Sequence, residues 1–544
     1  MCHSNAKKKV NMKMKKISIY ALTASLMLSS GACTNLDEEV YSEVLASSFK
    51  PTERDLPNIL APVYASFRTL MFGWQGYFDL QEEPADAIVT PVRPNGWDDG
   101  GTYRRMHQHV WTSEQWQPTN TWNNAFASIT RANRVIAQIE DNDIPLPEAA
   151  GKAAIAELRA TRALAYYLLL DNHGNVPIVT DYRDISLPQQ STRKQVYDFV
   201  VKELNEIIPL LSTDVQGTYG RMNKWAAKTL LAKIYQNAEV YTGTANWDGV
   251  IKEADEIIAS NAYVLDPNYS DVFTYTNHNS KEIIFAVPYD EIYGTGAQIH
   301  MKTLDPLSRL VYGMSAGPWG GNCAVPQFID TYDAEDSRLK DSWIMGPQYN
   351  PTTGAMVIDY TKPVPGIGGD GTVAPSNSGY RIGKYKIKQG ATSNLDNDYP
   401  MFRYADVLMM KAEALLRKGD ANAAASLVTQ VRQRAFKSNP AKATVTGADL
   451  QKGSTYQYGW QEKDGTVAVK DGGADIKFGR FLDELGWEFA AEARRRQDLI
   501  RFGVFQTKSW FNHNPHPQAA TRILFPIPFG ELNKNPNLKQ NAGY

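Results

Sequence analysis

Three groups of residues have the types and spacing that chemistry requires. Glu488, Glu492 and Arg496 stand at i, i+4 and i+8, with Asp498 and Arg501 beside them. On one helix face the two glutamates could act as the general acid and base of a surface glycoside hydrolase. The same spacing builds an ion-pair lattice between helices, because Glu four residues before Arg is the favourable order. The lattice is the stronger reading. His107-x-His109 is half of a metal site, but no third ligand stands at useful spacing, so two loop or strand histidines are expected, and no metal. Asp396-Asn397-Asp398 and Asp333-x2-Asp336 are too short for a Ca²⁺ loop of the EF-hand kind. No Gly-rich phosphate loop, G-x-S-x-G elbow or Cys–His constellation occurs. The chain reads as a non-enzyme without a cofactor.

Binding chemistry is better represented. The sequence holds 12 Trp, 28 Tyr and 19 Phe, many in Gly-, Asn- and Pro-rich stretches rather than in periodic helices. A pyranose ring has an apolar face that packs on Trp or Tyr, and hydroxyls that need Asn, Asp or Arg. The segment 93–101 has this chemistry, with Trp97 as the flat face and Arg93, Asn95, Asp98 and Asp99 as polar readers. A second stretch runs from Tyr289 to Tyr293. A third is 317–322, where glycines flanking Trp319 would leave its ring open and Asn322 follows. Trp343 and Tyr349 are weaker candidates, since a core or inter-loop role suits them equally. Trp225 and Trp247 sit on helical periods and are expected to pack.

These loops need a scaffold. Phe126 to Ile139 carries the 3.6-residue period of an amphipathic helix, as do 153–170, 196–211, 225–241 and 247–258. Helices return at 402–417 and 421–435, and one long helix is expected over Leu482 to Phe502. Glu282 to Val287 reads as a strand. The segments pair as antiparallel helices in the manner of tetratricopeptide units, although no strict repeat is visible. The stretches 265–400 and 437–480 are rich in Gly, Pro, Asn and Tyr, and irregular segments of that length are usually functional.

The N-terminal region determines where the chain works. Six lysines between Lys7 and Lys16 precede an apolar run, Ile17 to Leu28, then Ser30-Gly31-Ala32 and Cys33. This is the order of a signal peptide, and the run is shorter than the ~20 residues that span a bilayer. Loss of residues 1–32 removes six lysines and no acid, moving the formal charge from −2 to −8. An acidic chain without a basic footprint excludes nucleic acid as a partner. With Cys33 acylated only Cys323 remains, so no disulfide framework is expected.

A cysteine directly after the small residues resembles a bacterial lipobox, and the resemblance extends along the chain. Glu83-Pro84-Ala85-Asp86, the run 157–167 (Glu157-Leu158-Arg159 to Ala165-Tyr166-Tyr167), Gly174-Asn175-Val176-Pro177 and Gly220-Arg221-Met222-Asn223-Lys224-Trp225 resemble motifs of the SusD/RagB family of surface lipoproteins. So do Phe402-Arg403-Tyr404-Ala405-Asp406, Glu492-Ala493-Arg494-Arg495-Arg496, Phe525-Pro526-Ile527-Pro528 and the closing run 535–544.

The resemblance implies a mainly α fold of four tetratricopeptide-like helix pairs carrying a loop-rich ligand-binding lobe. In these terms residues 1–32 are a lipoprotein signal peptide and 33–45 a lipidated tether. Residues 46–544 form one unit, with scaffold at 120–265, 400–436 and 480–505 and the lobe at 70–120, 265–400 and 437–480. It further implies capture of polysaccharide at the outer-membrane surface, lipid-anchored through Cys33, and delivery to a SusC-like TonB-dependent transporter. Trp97 aligns with the segment where glycan-binding relatives present their first aromatic. Trp97, Tyr293 and Trp319 are expected to form an extended platform. The absence of a basic cluster at these loops favours a neutral glycan such as a glucan or hemicellulose. Peptide binding, as in some relatives, is the alternative.

Overall fold

The computed structural model describes residues 52–71, 76–95 and 97–544. The signal peptide, Cys33 and the tether lie outside the described residues.

Ten helices carry the architecture: α1 (Leu56–Met71), α2 (Trp116–Glu140), α3 (Glu148–Asn172), α4 (Arg193–Ile207), α5 (Lys224–Gln236), α6 (Trp247–Ala259), α7 (Tyr404–Lys418), α8 (Ala421–Arg432), α9 (Gly479–Phe489) and α10 (Arg495–Arg501). From α1 to α8 each helix packs on the next. Because α7 packs on α6 as well as on α8, the stretch 260–403 is looped out of the helical array. The helix starts are set by side chains. Thr192 and Gln195 form a capping box on α4, and Asn223, Asn246 and Asp420 cap α5, α6 and α8. α3 is buried almost all round from Ala160 to Asn172, so it is the centre of the core rather than a surface helix. Among the described residues no helix is long and apolar enough to cross a membrane.

The sheets are small. Strand β1 (Ile283–Val287) pairs antiparallel with β2 (Tyr399–Arg403), from Ile283 opposite Arg403 to Val287 opposite Tyr399. The sequence reading began a helix at Phe402. Its first two residues belong instead to β2, because Phe402 pairs with Phe285 and Arg403 with Ile283.

The long helix expected over 482–502 is two helices. α9 ends at Phe489 and α10 begins at Arg495, with Ala491 and Ala493 at φ 58° and 55° between them. Side chains from elsewhere take the carbonyls of this break. Arg403 and Lys384 donate to Glu488 O, Lys384 to Ala490 O at 2.8 Å, Tyr385 Oη to Ala491 O at 3.1 Å and Tyr399 Oη to Glu492 O at 2.8 Å. With Tyr269 Oη, which also donates to Glu488 O at 2.9 Å, six tertiary hydrogen bonds replace the helical ones, and helix propensity loses to them. The i, i+4, i+8 face is therefore absent.

Glu488 and Glu492 nonetheless belong to a lattice. Glu488 accepts from Arg338 at 3.0 Å, Arg403 at 2.8 Å and Arg434 at 2.6 Å, all buried. Glu492 pairs with Arg403 and Lys384. Glu484 pairs with Arg338, Arg432 and Arg480. Burial opposes ionisation of Glu488, but Arg434, Arg403 and Arg338 outweigh it and hold the carboxyl well below the usual range. A general acid needs the opposite shift.

The lattice sets an acid limit on the fold. Burial pushes the Glu484 carboxyl up, but Arg432, Arg338 and Arg480 prevail and hold it at about 2, against an ordinary 4.5. Because the folded value is depressed, this stabilisation is complete above pH ~4.5 and is lost as pH falls towards ~2. Glu484→Gln should cost about 3–5 kcal/mol at neutral pH, because it leaves buried guanidiniums uncompensated. It should also flatten the fall in stability across that window. Denaturant melts of both proteins at pH 7 and pH 3 check this, and equal stability at pH 7 would remove the lattice from its structural role.

Candidate functional site

Two loops meet at the aromatic pair. Arg93 N–H donates to Trp97 O at 3.2 Å and closes the turn that carries Asn95. After Trp97 the chain reverses through three consecutive residues at positive φ: Asp99 at 47°, Gly100 at 61° and Gly101 at 74°. A non-glycine residue in this region is uncommon and costs about 1 kcal/mol or more, and such strain clusters at functional sites. The reversal starts the short helix Thr102–His107 and puts the buried Tyr103 ring on Trp97, with centroids 6.0 Å apart.

The second loop is held from below. Trp319 N–H donates to Met301 O and Gly321 N–H to Lys302 O, both at 2.7 Å. A Cβ on Gly321 would stand 2.7 Å from Lys302 O and 3.0 Å from Trp97, and one on Gly320 would stand 3.1 Å from Asn95. The glycines thus serve close approach between the loops, beyond the open ring face expected from the sequence. Trp319 and Trp97 stack with centroids 6.2 Å apart and planes at 22°. That separation is an offset stack, with each ring displaced from its neighbour. Asn95 staples the loops: its Nδ2 donates to Trp319 O at 2.5 Å and its Oδ1 accepts from Trp97 N–H at 3.3 Å.

The polar rim is partly engaged. Asp98 pairs with Arg104 at 3.2 Å, both half-exposed. Burial, set against the nearby Lys302 charge, raises the Asp99 carboxyl above its ordinary value. Lys302 itself is buried, bridges Asp79 and Glu83, and lies over the Tyr103 ring at 4.6 Å.

Four candidates are buried away from the exposed faces of the aromatic pair. Arg93 is buried and donates to Gly321 O, Pro375 O and Ser378, so it braces the platform from behind. Tyr289 is buried and its hydroxyl donates to Arg68 O at 2.8 Å. Asn322 is 0 % exposed, and Trp343 is 2 % exposed with its ring edge-on to Phe328. In each case loops fold over a residue whose own segment is Gly- or Pro-rich. Tyr293 is 90 % exposed on a turn that Asp290 caps, but among the described residues no hydrogen bond or ring contact joins it to the tryptophans. The rings that stack on one another are Tyr103, Trp97 and Trp319, with Trp97 in the middle and Tyr103 buried. Tyr103 lies outside the residues expected from the sequence, and the Gly100-Gly101 reversal before it is the available signal. The Asp305-Pro306 turn was missed too. It lies under Gly320 and carries the exposed Leu307 and Leu310. Tyr349 is exposed on the hairpin of strands Gly346–Tyr349 and Met356–Tyr360.

The other groups singled out by spacing are structural. His107, His109 and His513 cluster in the core, and His107 Nε2 donates to Phe511 O, His109 Nε2 to Pro84 O and His513 Nδ1 to His107 O. Burial lowers His107 to about 4 and His109 to about 3, so the rings are neutral. Among the described residues no group of three His, Cys, Asp or Glu is placed to hold a metal. Asp398 accepts from Tyr289 N–H and Tyr219 Oη, and Asp336 caps the helix Ser337–Ser342.

Comparison with known proteins agrees with this architecture. A model described as "SusD family" matches residues 281–544, and one described as "Starch-binding associating with outer membrane" matches 36–236. The chain is 26 % identical over 516 residues to the starch-binding protein SusD of Bacteroides thetaiotaomicron, covering 86 % of this chain and 85 % of that one. Among solved structures, B. fragilis NanU matches with a TM-score of 0.71 at 20 % identity, covering 93 % of this chain and 99 % of that one. Surface glycan-binding protein A from B. thetaiotaomicron, in complex with laminarihexaose, matches with a TM-score of 0.66 at 19 % identity, covering 90 % and 100 %.

The loop geometry has a direct check. Gly321→Ala should push the Trp97 ring from its place, reduce the near-UV circular dichroism of the stack and cost about 1–3 kcal/mol by overpacking. An unchanged spectrum and melting curve would show that the close approach is not required.

Proposed function

Because the chain belongs to the SusD family, we propose that it binds polysaccharide at the cell surface through the Trp97–Trp319 stack and passes it to a SusC-like TonB-dependent transporter. The observation that carries this reading is the offset pair itself. Two indole rings, part-exposed and joined by Asn95, rise from strained, Gly-rich loops on a rigid helical body. Trp319, at the end of the stack, supplies the main open face, and the offset leaves an edge of Trp97 beside it. A pyranose ring packs its C–H face on Trp319, worth on the order of 1 kcal/mol beyond the area it buries. Asn95, Asp98 and Asp99 then stand within the same loop as hydroxyl partners, and Leu307 and Leu310 extend the apolar surface.

A neutral glucan fits best. The rim balances Asp98 against Arg104 and offers no excess of positive charge. Two of the relatives named above carry a glucan in their description, starch for one and laminarihexaose for the other. Tyr293 contributes as a separate exposed ring to long chains only. The lipid on Cys33 keeps the body at the outer membrane, and the acidic residues from Asp37 onward fit the tether of a surface-exported lipoprotein, placed where delivery to a transporter takes place.

Affinity electrophoresis against starch, laminarin, a hemicellulose and a peptide mixture tests the reading. Wild type should be retarded by at least one neutral glycan. Trp319→Ala should lose about tenfold or more in affinity, the value of about 1.4 kcal/mol. Trp225→Phe, a packing position, should bind as wild type. Retardation by no glycan would overturn the proposal. In cells, an alkyne analogue of palmitate should label wild type and not Cys33→Ser; labelling of both would remove the anchor.

A further inference from the structure

Two arginines lie buried behind the aromatic loops, Arg93 at 3 % exposure and Arg381 at 0 %. Both bridge the same two segments of chain. Arg93 donates to Gly321 O at 3.2 Å, to Pro375 O at 2.8 Å and to Ser378 O at 3.0 Å. Arg381 donates to Asn322 O at 3.3 Å and to Ser376 O at 2.5 Å. The two guanidiniums therefore share one closed space between 321–323 and 375–378. The Tyr360 ring lies 5.0 Å from Arg381, and the Cys323 sulfur lies beside Arg93. Each guanidinium has five N–H donors, and some of these are unused. Among the described residues, Arg93 Nη2 and Arg381 Nε are buried without an acceptor.

No acid answers these two charges. Arg338 and Arg403, just as buried, pair with Asp336 and Glu282. Arg93 and Arg381 make no ion pair among the described residues, and the strongest charged neighbour of Arg93 is Arg381 itself. The carboxylates linked to this place are held elsewhere. Asp305, whose N–H donates to Tyr360 Oη, accepts from Leu307 N–H, and Glu83 pairs with Lys302. Burial and the Arg381 charge lower the Arg93 guanidinium to about 10, so it is still charged at neutral pH. A buried charge without a counter-charge is costly, and a water would supply an acceptor but no charge. Closure to solvent limits the counter-charge to a small ion. We propose that a monovalent anion of chloride size binds between the two guanidiniums, accepting from Arg93 Nη2 and Arg381 Nε. Because Arg93 N–H closes the Trp97 turn and Gly321-Asn322 follow Trp319, this anion ties the roots of both aromatic loops.

Bromide, which replaces chloride and scatters anomalously, tests this directly. Crystals of the purified protein soaked in sodium bromide should give an anomalous peak within about 3.5 Å of both Arg93 Nη2 and Arg381 Nε. In solution, exchanging sodium gluconate for sodium chloride at constant ionic strength should raise Tm by about 1–3 °C and then saturate, as mass action requires. Arg381→Met should lose that rise, and Arg134→Met, on the exposed face of α2, should keep it. Three results would overturn the proposal: no bromine peak at the pair, the same Tm in gluconate and chloride, or a full chloride response in Arg381→Met. The diffraction result is read on wild type, so it decides the matter even where Arg381→Met fails to fold. Neither measurement uses a glycan, so failure here leaves the Trp97–Trp319 reading to its own test.

Discussion

The Glu488 carboxylate accepts from the guanidiniums of Arg338, Arg403 and Arg434 in a place without solvent. Each cation arrives from a different part of the chain. Arg403 ends β2 and opens α7, Arg434 follows α8, and Arg338 belongs to the looped-out stretch 260–403. Burying a charge costs several kcal/mol per ion, so none of these groups can sit where it does unless the others are in place. Lys384 and Glu492 extend the set into the same insertion, and Glu282 brings in the segment before β1. The helical scaffold and the loop-rich lobe are thereby coupled through ions as well as through apolar packing.

That coupling reaches the backbone. The carbonyls of residues 488–492 would continue a helix in isolation, but Lys384, Arg403, Tyr385 and Tyr399 claim them. The chain breaks, α10 starts in a new direction, and Arg495 reaches Asp86 at 2.7 Å. Asp86 stands two residues before the strand residues Ile88–Val89, which pair with Cys323 and Ala324 just past the Trp319 loop. The same ionic core therefore fixes the root of both loops that carry the indole pair.

The helices were legible because their apolar residues repeat with one period over many turns, as in 126–139 and 153–170. The aromatic loops were legible because glycines crowd around Trp319 and a turn precedes Trp97. What could not be read was which loop residues other loops would cover. Arg93 has the chemistry of a sugar reader, but its acceptors are Gly321, Pro375 and Ser378, more than 200 positions away. His107 and His109 meet His513 only in the fold. The helix break at Ala491 has no local signal at all, since the three alanines in it favour a helix.

Asn95 holds Trp97 with one end of its amide and the loop of Trp319 with the other. The aromatic surface is thus assembled from two segments over 200 residues apart in sequence, neither of which is part of the helical array. An insertion or deletion in either loop re-angles one ring against the other and leaves the ionic core untouched. The shape of this surface can drift over evolutionary time at almost no cost to folding, because the body that carries it is held together elsewhere.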